Sequence, residues 1–191
     1  REVEAPTEEL VFAGQGTAFS VAPGYFVTNH HVVSGASSVQ IRWRSGEVQE
    51  AVVIASLDGR GTNDLALLQC KSLVMKPVTL SEQPPRLGET VAVVGFPQSA
   101  ILGHELKMTE GIVSGTPDDA LGGLVAVDAP IVAGGSGGPI IDMSGNLLAV
   151  ATATWNLLNS GGVAYPHIHG GVPAYNVARF LQRQGMPFER G

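Results

Sequence analysis

A single cysteine, Cys70, stands among the 191 residues. That excludes an internal disulfide and any metal site built from several thiolates. Cys70 ends the run Leu65-Ala66-Leu67-Leu68-Gln69 and is expected as a buried structural thiol. Nor is there an apolar run long enough to span a bilayer: the longest candidate, 147–158, is broken by Thr152, Thr154 and Asn156. Basic clusters are missing too. The net charge is −6, and Arg42 and Arg44 share their stretch with Glu47 and Glu50, which argues against nucleic acid as the main partner. Low-complexity tracts are absent. Residues 1–9 are acidic and polar and show no signal peptide, so the compartment stays open.

What is abundant is punctuation. The 25 glycines and 12 prolines are spread along the chain, which suits many short strands joined by turns. Strands are expected over 16–20 and 25–33 around the turn Ala22-Pro23-Gly24. Further strands are expected at 39–43, 48–54, 65–69, 90–95, 105–114, 124–128, 139–142 and 147–153. Ser144-Gly145-Asn146 predicts a hairpin between the last two. One helix is expected, with Pro173 in its first turn, Val177 and Leu181 four apart, and Gly185 closing it. This is an all-β pattern. Pro84-Pro85 marks a joint that divides the chain into lobes 1–83 and 84–191.

Residues 134–139 read Gly-Gly-Ser-Gly-Gly-Pro. Glycines around Ser136 open dihedrals closed to other residues, so consecutive amides can converge before the hydroxyl and stabilise an oxyanion. His31 lies in Val27-Thr28-Asn29-His30-His31-Val32-Val33, and Asp64 opens Asp64-Leu65-Ala66-Leu67-Leu68. Taken singly, each has an ordinary reading: a structural histidine, an Asp in a turn, a Ser in a turn. Together, in the order His…Asp…Ser at the ends of apolar strands, they point to nucleophilic catalysis. A serine hydroxyl needs a base, imidazole (unperturbed pKa about 6.5) suits that task, and a carboxylate fixes its tautomer. Gly134–Gly138 also satisfies G-x-S-x-G, but a hairpin rather than a helix follows, so the nucleophile-elbow reading fails. Gly14-Gln15-Gly16 lacks the later glycine of a dinucleotide site. His167 and His169 alternate without a third nearby ligand, which favours a polar surface or substrate-side wall over a metal site.

On these residues the chain resembles the chymotrypsin-fold (trypsin-like) serine proteases, closest to their bacterial HtrA/Deg-like branch. Gly16-Thr17-Ala18-Phe19 and residues 25–33, 63–68, 87–96 and 128–139 resemble that branch's successive blocks, and 171–181 its closing strand and helix. The resemblance runs from about Gly14 to Leu181. It implies two packed antiparallel six-stranded β-barrels with a C-terminal helix, and an active site in the cleft between them. It implies His31, rather than His30, as base, Asp64 as orienting acid and Ser136 as nucleophile, with the amides of Gly134 and Ser136 as oxyanion hole. Pro130, Ile131, Ala133, Gly170 and Gly171 would wall the primary specificity pocket. The implied activity is that of a serine endopeptidase acting on protein or peptide substrates through an acyl-enzyme, with no cofactor or metal. The alternatives are an inactive binding or scaffold module on the same fold, or an esterase. Oligomers are compatible with the branch, and an extracytoplasmic compartment, periplasmic or secreted, is implied by resemblance alone. Three departures are visible. No segment resembles the PDZ modules usual in the branch. Gly135 offers no carboxylate to a newly cut N-terminus, and Pro130, six residues before Ser136, gives no preference for Arg or Lys. A small or medium apolar side chain at the cleaved bond is expected instead.

Overall fold

The structure is a computed structural model, and it describes residues 14–43, 45–57, 61–97, 103, 105–117, 122–152 and 168–191. Strands β1 (Phe19–Ala22), β2 (Tyr25–Thr28), β3 (Val39–Arg42), β4 (Val48–Leu57) and β5 (Leu65–Gln69) form one sheet in the order β1-β2-β5-β4-β3. A second sheet closes into a six-stranded barrel. It contains β6 (Thr90–Gly95), β7 (Lys107–Gly115), β8 (Val125–Val127), β9 (Pro139–Ile141), β10 (Leu147–Ala151) and β11 (His169–Pro173), in the order β10-β11-β8-β7-β6-β9. Among the described residues the helical elements are a single turn, α1 (His30–Val33), a 3-10 turn (Gly61–Asn63) and α2 (Ala174–Arg183).

Period-two alternation explains why β5 sits at the centre of the first sheet. Leu65 and Leu67 enter one apolar cluster, while Ala66 and Leu68 enter another that also holds the free thiol of Cys70. The Leu65 cluster is shared. It also takes Phe19 and Val27 from the first sheet, Leu147, Val150 and Val172 from the outer face of the barrel, and Val177, Phe180 and Leu181 from α2. Each such buried side chain stabilises by about 1.5–3 kcal/mol, so this cluster is what joins the two sheets. The barrel interior is filled separately by Val91, Val113, Val125, Val127, Ile140, Ala149 and Ala151.

Turns fall where the residues dictate. Gly145 takes φ +86 in the β9–β10 hairpin, where the Asp142 carboxylate accepts from the Ser144 and Asn146 amides. At the end of α2, Gly185 at φ +67 donates to Gln182 O, and Met186 donates to Leu181 O. That is the paired hydrogen-bond signature of a Schellman stop.

The structure departs from the expected pair of closed six-stranded barrels. Only the C-terminal sheet closes; the N-terminal one is an open sheet of five strands. The segment that would supply a sixth strand, residues 73–79, contains Pro77, which has no amide to donate to a ladder. Among the described residues its hydrogen bonds to β1 are Val78 N to Ser20 O (2.9 Å) and Ser20 Oγ to Met75 O (3.3 Å). The strand expected over 25–33 also ends early, at Thr28, where the chain turns into α1.

Candidate active site

The end of β2, the start of β5 and the end of β10 meet at one carboxylate. Asp64 is buried, and its Oδ2 lies 2.7 Å from His31 Nδ1 and 2.6 Å from Thr152 Oγ1, which donates to it. Its Oδ1 accepts the His31 amide at 3.0 Å. Its backbone carbonyl accepts from Nδ2 of the fully buried Asn29 at 2.8 Å. Burial pushes the Asp64 carboxyl up, but the hydrogen bonds from the His31 ring, Thr152 and the His31 amide, together with the charge of His31, outweigh it. The carboxyl is held below its ordinary value. An ionised carboxylate only accepts, so His31 Nδ1 carries a proton, and in the neutral ring the lone pair is on Nε2. His30 turns the other way and bonds Ser56 on β4.

The glycine-rich loop packs against the segment that carries His31. A Cβ on Gly16 would stand 2.6 Å from the Val32 methyl carbons and 2.9 Å from Ser136 O. Gly16 is therefore the thin spacer between Ser136 and the residue beside His31. A Cβ on Gly137, which has φ +85, would collide with Thr17 O, Thr28 Oγ1 and Asn29 N at the end of β2. Only glycine allows that approach. Within the loop, Gly135 N donates to Val132 O (2.8 Å), Gly137 N to Ala151 O (2.8 Å) and Gly138 N to Gly135 O (3.0 Å). Among the described residues the amides of Gly134 and Ser136 have no such acceptor, and Ser136 Oγ makes no hydrogen bond to His31. Asp64 and His31 are thus joined directly, with Ser136 placed beside them through backbone packing.

The other expected wall residues are distributed over two segments. Pro130, Ile131 and Ala133 lie in the loop between β8 and β9, anchored by Thr109 Oγ1 donating to Pro130 O at 2.8 Å. Gly170 and Gly171 lie on β11; Gly170 O accepts the Thr152 amide at 3.0 Å, and a Cβ on Gly171 would press on Ile140 and Ala149 inside the barrel. His169 is buried on β11, paired with Val127, and His167 lies outside the described residues.

Residues 16–150 match the model of the trypsin-like peptidase domain. The chain belongs to that family. It is homologous to HtrA/DegP/DegQ serine endoproteases. Over 192 residues it is 30% identical to the periplasmic pH-dependent serine endoprotease DegQ of Escherichia coli, covering 97% of this chain and 40% of that protein. Over 161 residues it is 37% identical to the uncharacterized protein y4bJ of Sinorhizobium fredii, covering 81% of this chain and 24% of that one. A crystal structure of the serine endoprotease from Yersinia pestis matches the fold with a TM-score of 0.75 at 23% identity, over 92% of this chain and 59% of that one. The chain therefore spans less than half the length of these two curated relatives. No helix among the described residues is long and apolar enough to cross a membrane.

Four polar residues packed around His31, Asp64 and the glycine-rich loop escape a reading of the sequence for nucleophiles and bases: Thr17, Thr28, Asn29 and Thr152. All are buried. Thr152 stands out in sequence only as an interruption of the apolar run after Leu147, and Asn29 only as a polar residue before two histidines.

Proposed function

We propose that this chain is a serine endopeptidase that hydrolyses peptide bonds of protein substrates through an acyl-enzyme. The observation that carries the reading is the short contact of His31 Nδ1 with a carboxylate held ionised by three donors. It leaves Nε2 as the basic atom on the side of the ring away from Asp64. In the proposed cycle His31 Nε2 takes the Ser136 proton as Oγ attacks the substrate carbonyl. The amides of Gly134 and Ser136, which have no acceptor within the loop, donate to the developing oxyanion. His31 then passes the proton to the leaving amine, and water repeats the sequence to release the acid. Asp64 stays ionised throughout and orients the ring. Pro130, Ile131, Ala133, Gly170 and Gly171 are proposed to wall the pocket for the side chain at the cleaved bond. DegQ and the DegP-like relative of Chlamydia pneumoniae are described as periplasmic, and an extracytoplasmic location is proposed here by homology.

A second reading, a binding module on a silent protease fold, draws on the missing Ser136–His31 hydrogen bond. Resting enzymes often form that bond only with substrate, so it weighs less than the His31–Asp64 pair. A fluorophosphonate probe separates the two. Labelling of the wild type that is lost in Ser136→Ala is expected; an unlabelled wild type that also fails to cleave unfolded casein supports the silent module.

A further inference from the structure

The side chain that touches the most chemistry without belonging to the triad is Thr17, 3% exposed, just before β1. All of its polar atoms are engaged. Its amide donates to Ser136 O at 2.8 Å, and its carbonyl accepts Thr28 Oγ1 at 2.7 Å. Its hydroxyl donates to Gly134 O at 2.8 Å and accepts the Phe96 amide at 3.0 Å. A Cβ on Gly95 would stand 2.8 Å from that hydroxyl, so the neighbouring strand end is kept bare where Thr17 sits.

These contacts act on one peptide plane. The carbonyl of Gly134 and the amide of Gly135 belong to the same planar unit. Thr17 Oγ1 holds the carbonyl end, and Val132 O holds the amide end at 2.8 Å. A plane pinned at both edges cannot rotate. It lies between the amides of Gly134 and Ser136, which have no acceptor among the described residues, and so sets the angle between them. Gly134 has φ +90, a conformation that few residues adopt and that a glycine leaves as easily as it enters. Something outside the loop has to select it, and the Thr17 hydroxyl is in place to do so. Thr28, which hydrogen-bonds the Thr17 carbonyl, is three residues before His31 on the same segment. The segment that leads from β2 into His31 and the oxyanion loop are thereby tied through one residue.

We propose that Thr17 is a positioning residue for the oxyanion hole: its hydroxyl locks the Gly134–Gly135 peptide so that the flanking amides point at the developing oxyanion. The proposal rests on the endopeptidase reading above. It predicts an effect on the transition state rather than on substrate binding. Losing one oxyanion donor outright lowers kcat about 100- to 1,000-fold, and a donor left in place but free to turn loses less.

The test compares wild type, Thr17→Val (same shape, no hydroxyl) and Thr17→Ser (hydroxyl kept) on one peptide amide substrate. Thr17→Val is expected to lower kcat about 10- to 100-fold with KM changed by less than about threefold, and Thr17→Ser to stay within about threefold of wild type. Binding of a peptide aldehyde, whose hemiacetal oxygen occupies the hole, is expected to weaken by the same factor as kcat. Binding of the matching peptide acid stays unchanged. Should Thr17→Val lose the wild-type circular dichroism spectrum, Thr17→Cys, with a weakly donating thiol, takes its place and must show the same split. The proposal is overturned by a kcat within threefold of wild type, by equal losses in the Ser and Val variants, or by aldehyde and acid binding weakening together. Those results leave the endopeptidase reading intact. A wild type with neither turnover nor fluorophosphonate labelling overturns both.

Discussion

Replacing Asp64 by Asn changes one atom of the site's buried carboxylate, and the structure dictates how the amide must sit. The position now held by Oδ1 faces the His31 amide, a donor that cannot become anything else. Placing the new NH2 there would set donor against donor inside the protein, at a cost of about 1–3 kcal/mol for the unsatisfied group. The carbonyl oxygen therefore takes that position, and the NH2 falls where Oδ2 was, facing Thr152 Oγ1 and His31 Nδ1. Thr152 can rotate its hydroxyl and accept. His31 can accept only by moving its proton from Nδ1 to Nε2, and an Nε2 that already carries hydrogen cannot take one from Ser136. An Asp-to-Asn change at a Ser-His-Asp triad lowers kcat by about ten-thousandfold through this tautomer switch. We expect a loss of that order in Asp64→Asn on a peptide amide substrate, with KM little changed and the folded structure kept. Stopped-flow or discontinuous assays at pH 7 would measure it. A kcat within tenfold of wild type would refute the reasoning, because it would mean that the carboxylate does not select the working tautomer.

Acid should weaken the fold partly through the same group. The folded-state pKa of Asp64 is depressed below the unfolded carboxylate value. Between the two values the unfolded chain binds more protons, so this contribution is fully present above the unfolded pKa and is lost as pH falls through the folded one. The difference in urea midpoint between wild type and Asp64→Asn should shrink on going from pH 7 to below pH 3, and a constant difference would exclude the linkage. Gly137→Ala should be far more harmful than its size suggests, because its Cβ would overlap Thr17 O before β1 and Thr28 Oγ1 at the end of β2, and crowd Asn29 N, while φ stays positive. We expect a loss of more than about 3 kcal/mol or no folding at all, checked by thermal unfolding; a loss under about 1 kcal/mol would show that the loop does not press on that segment.

How much of this was legible in the residues depends on whether the deciding interaction is local. The boundaries of β5 and β6 follow from continuous apolar runs, and the stop of α2 follows from Gly185 alone, since Leu181 and Gln182 supply the carbonyls within the same turn. His31, Asp64 and Ser136 stood out as candidates only jointly, by their order and their places beside apolar strands, since each alone has an ordinary reading. Three features were not local. Residues 30–33 look like the continuation of a β-branched strand, yet they coil into α1, where the Asp64 carboxylate, 33 residues away from His31, takes both the amide and the ring. Closure of the first sheet failed at Pro77, whose missing amide matters only once its partner strand is known. Thr17 and Thr152 are, by propensity, ordinary strand threonines. Their hydroxyls reach Gly134 and Asp64 across 117 and 88 residues of sequence, and nothing in the local pattern distinguishes them from threonines that face solvent. Burial makes the distinction: a hydroxyl in the interior must find a partner, and here the partners at hand are the Gly134 carbonyl and the Asp64 carboxylate. Type and order therefore single out candidates for reactive chemistry, whereas the buried hydroxyls that pack around those candidates appear only when the two sheets are seen against each other.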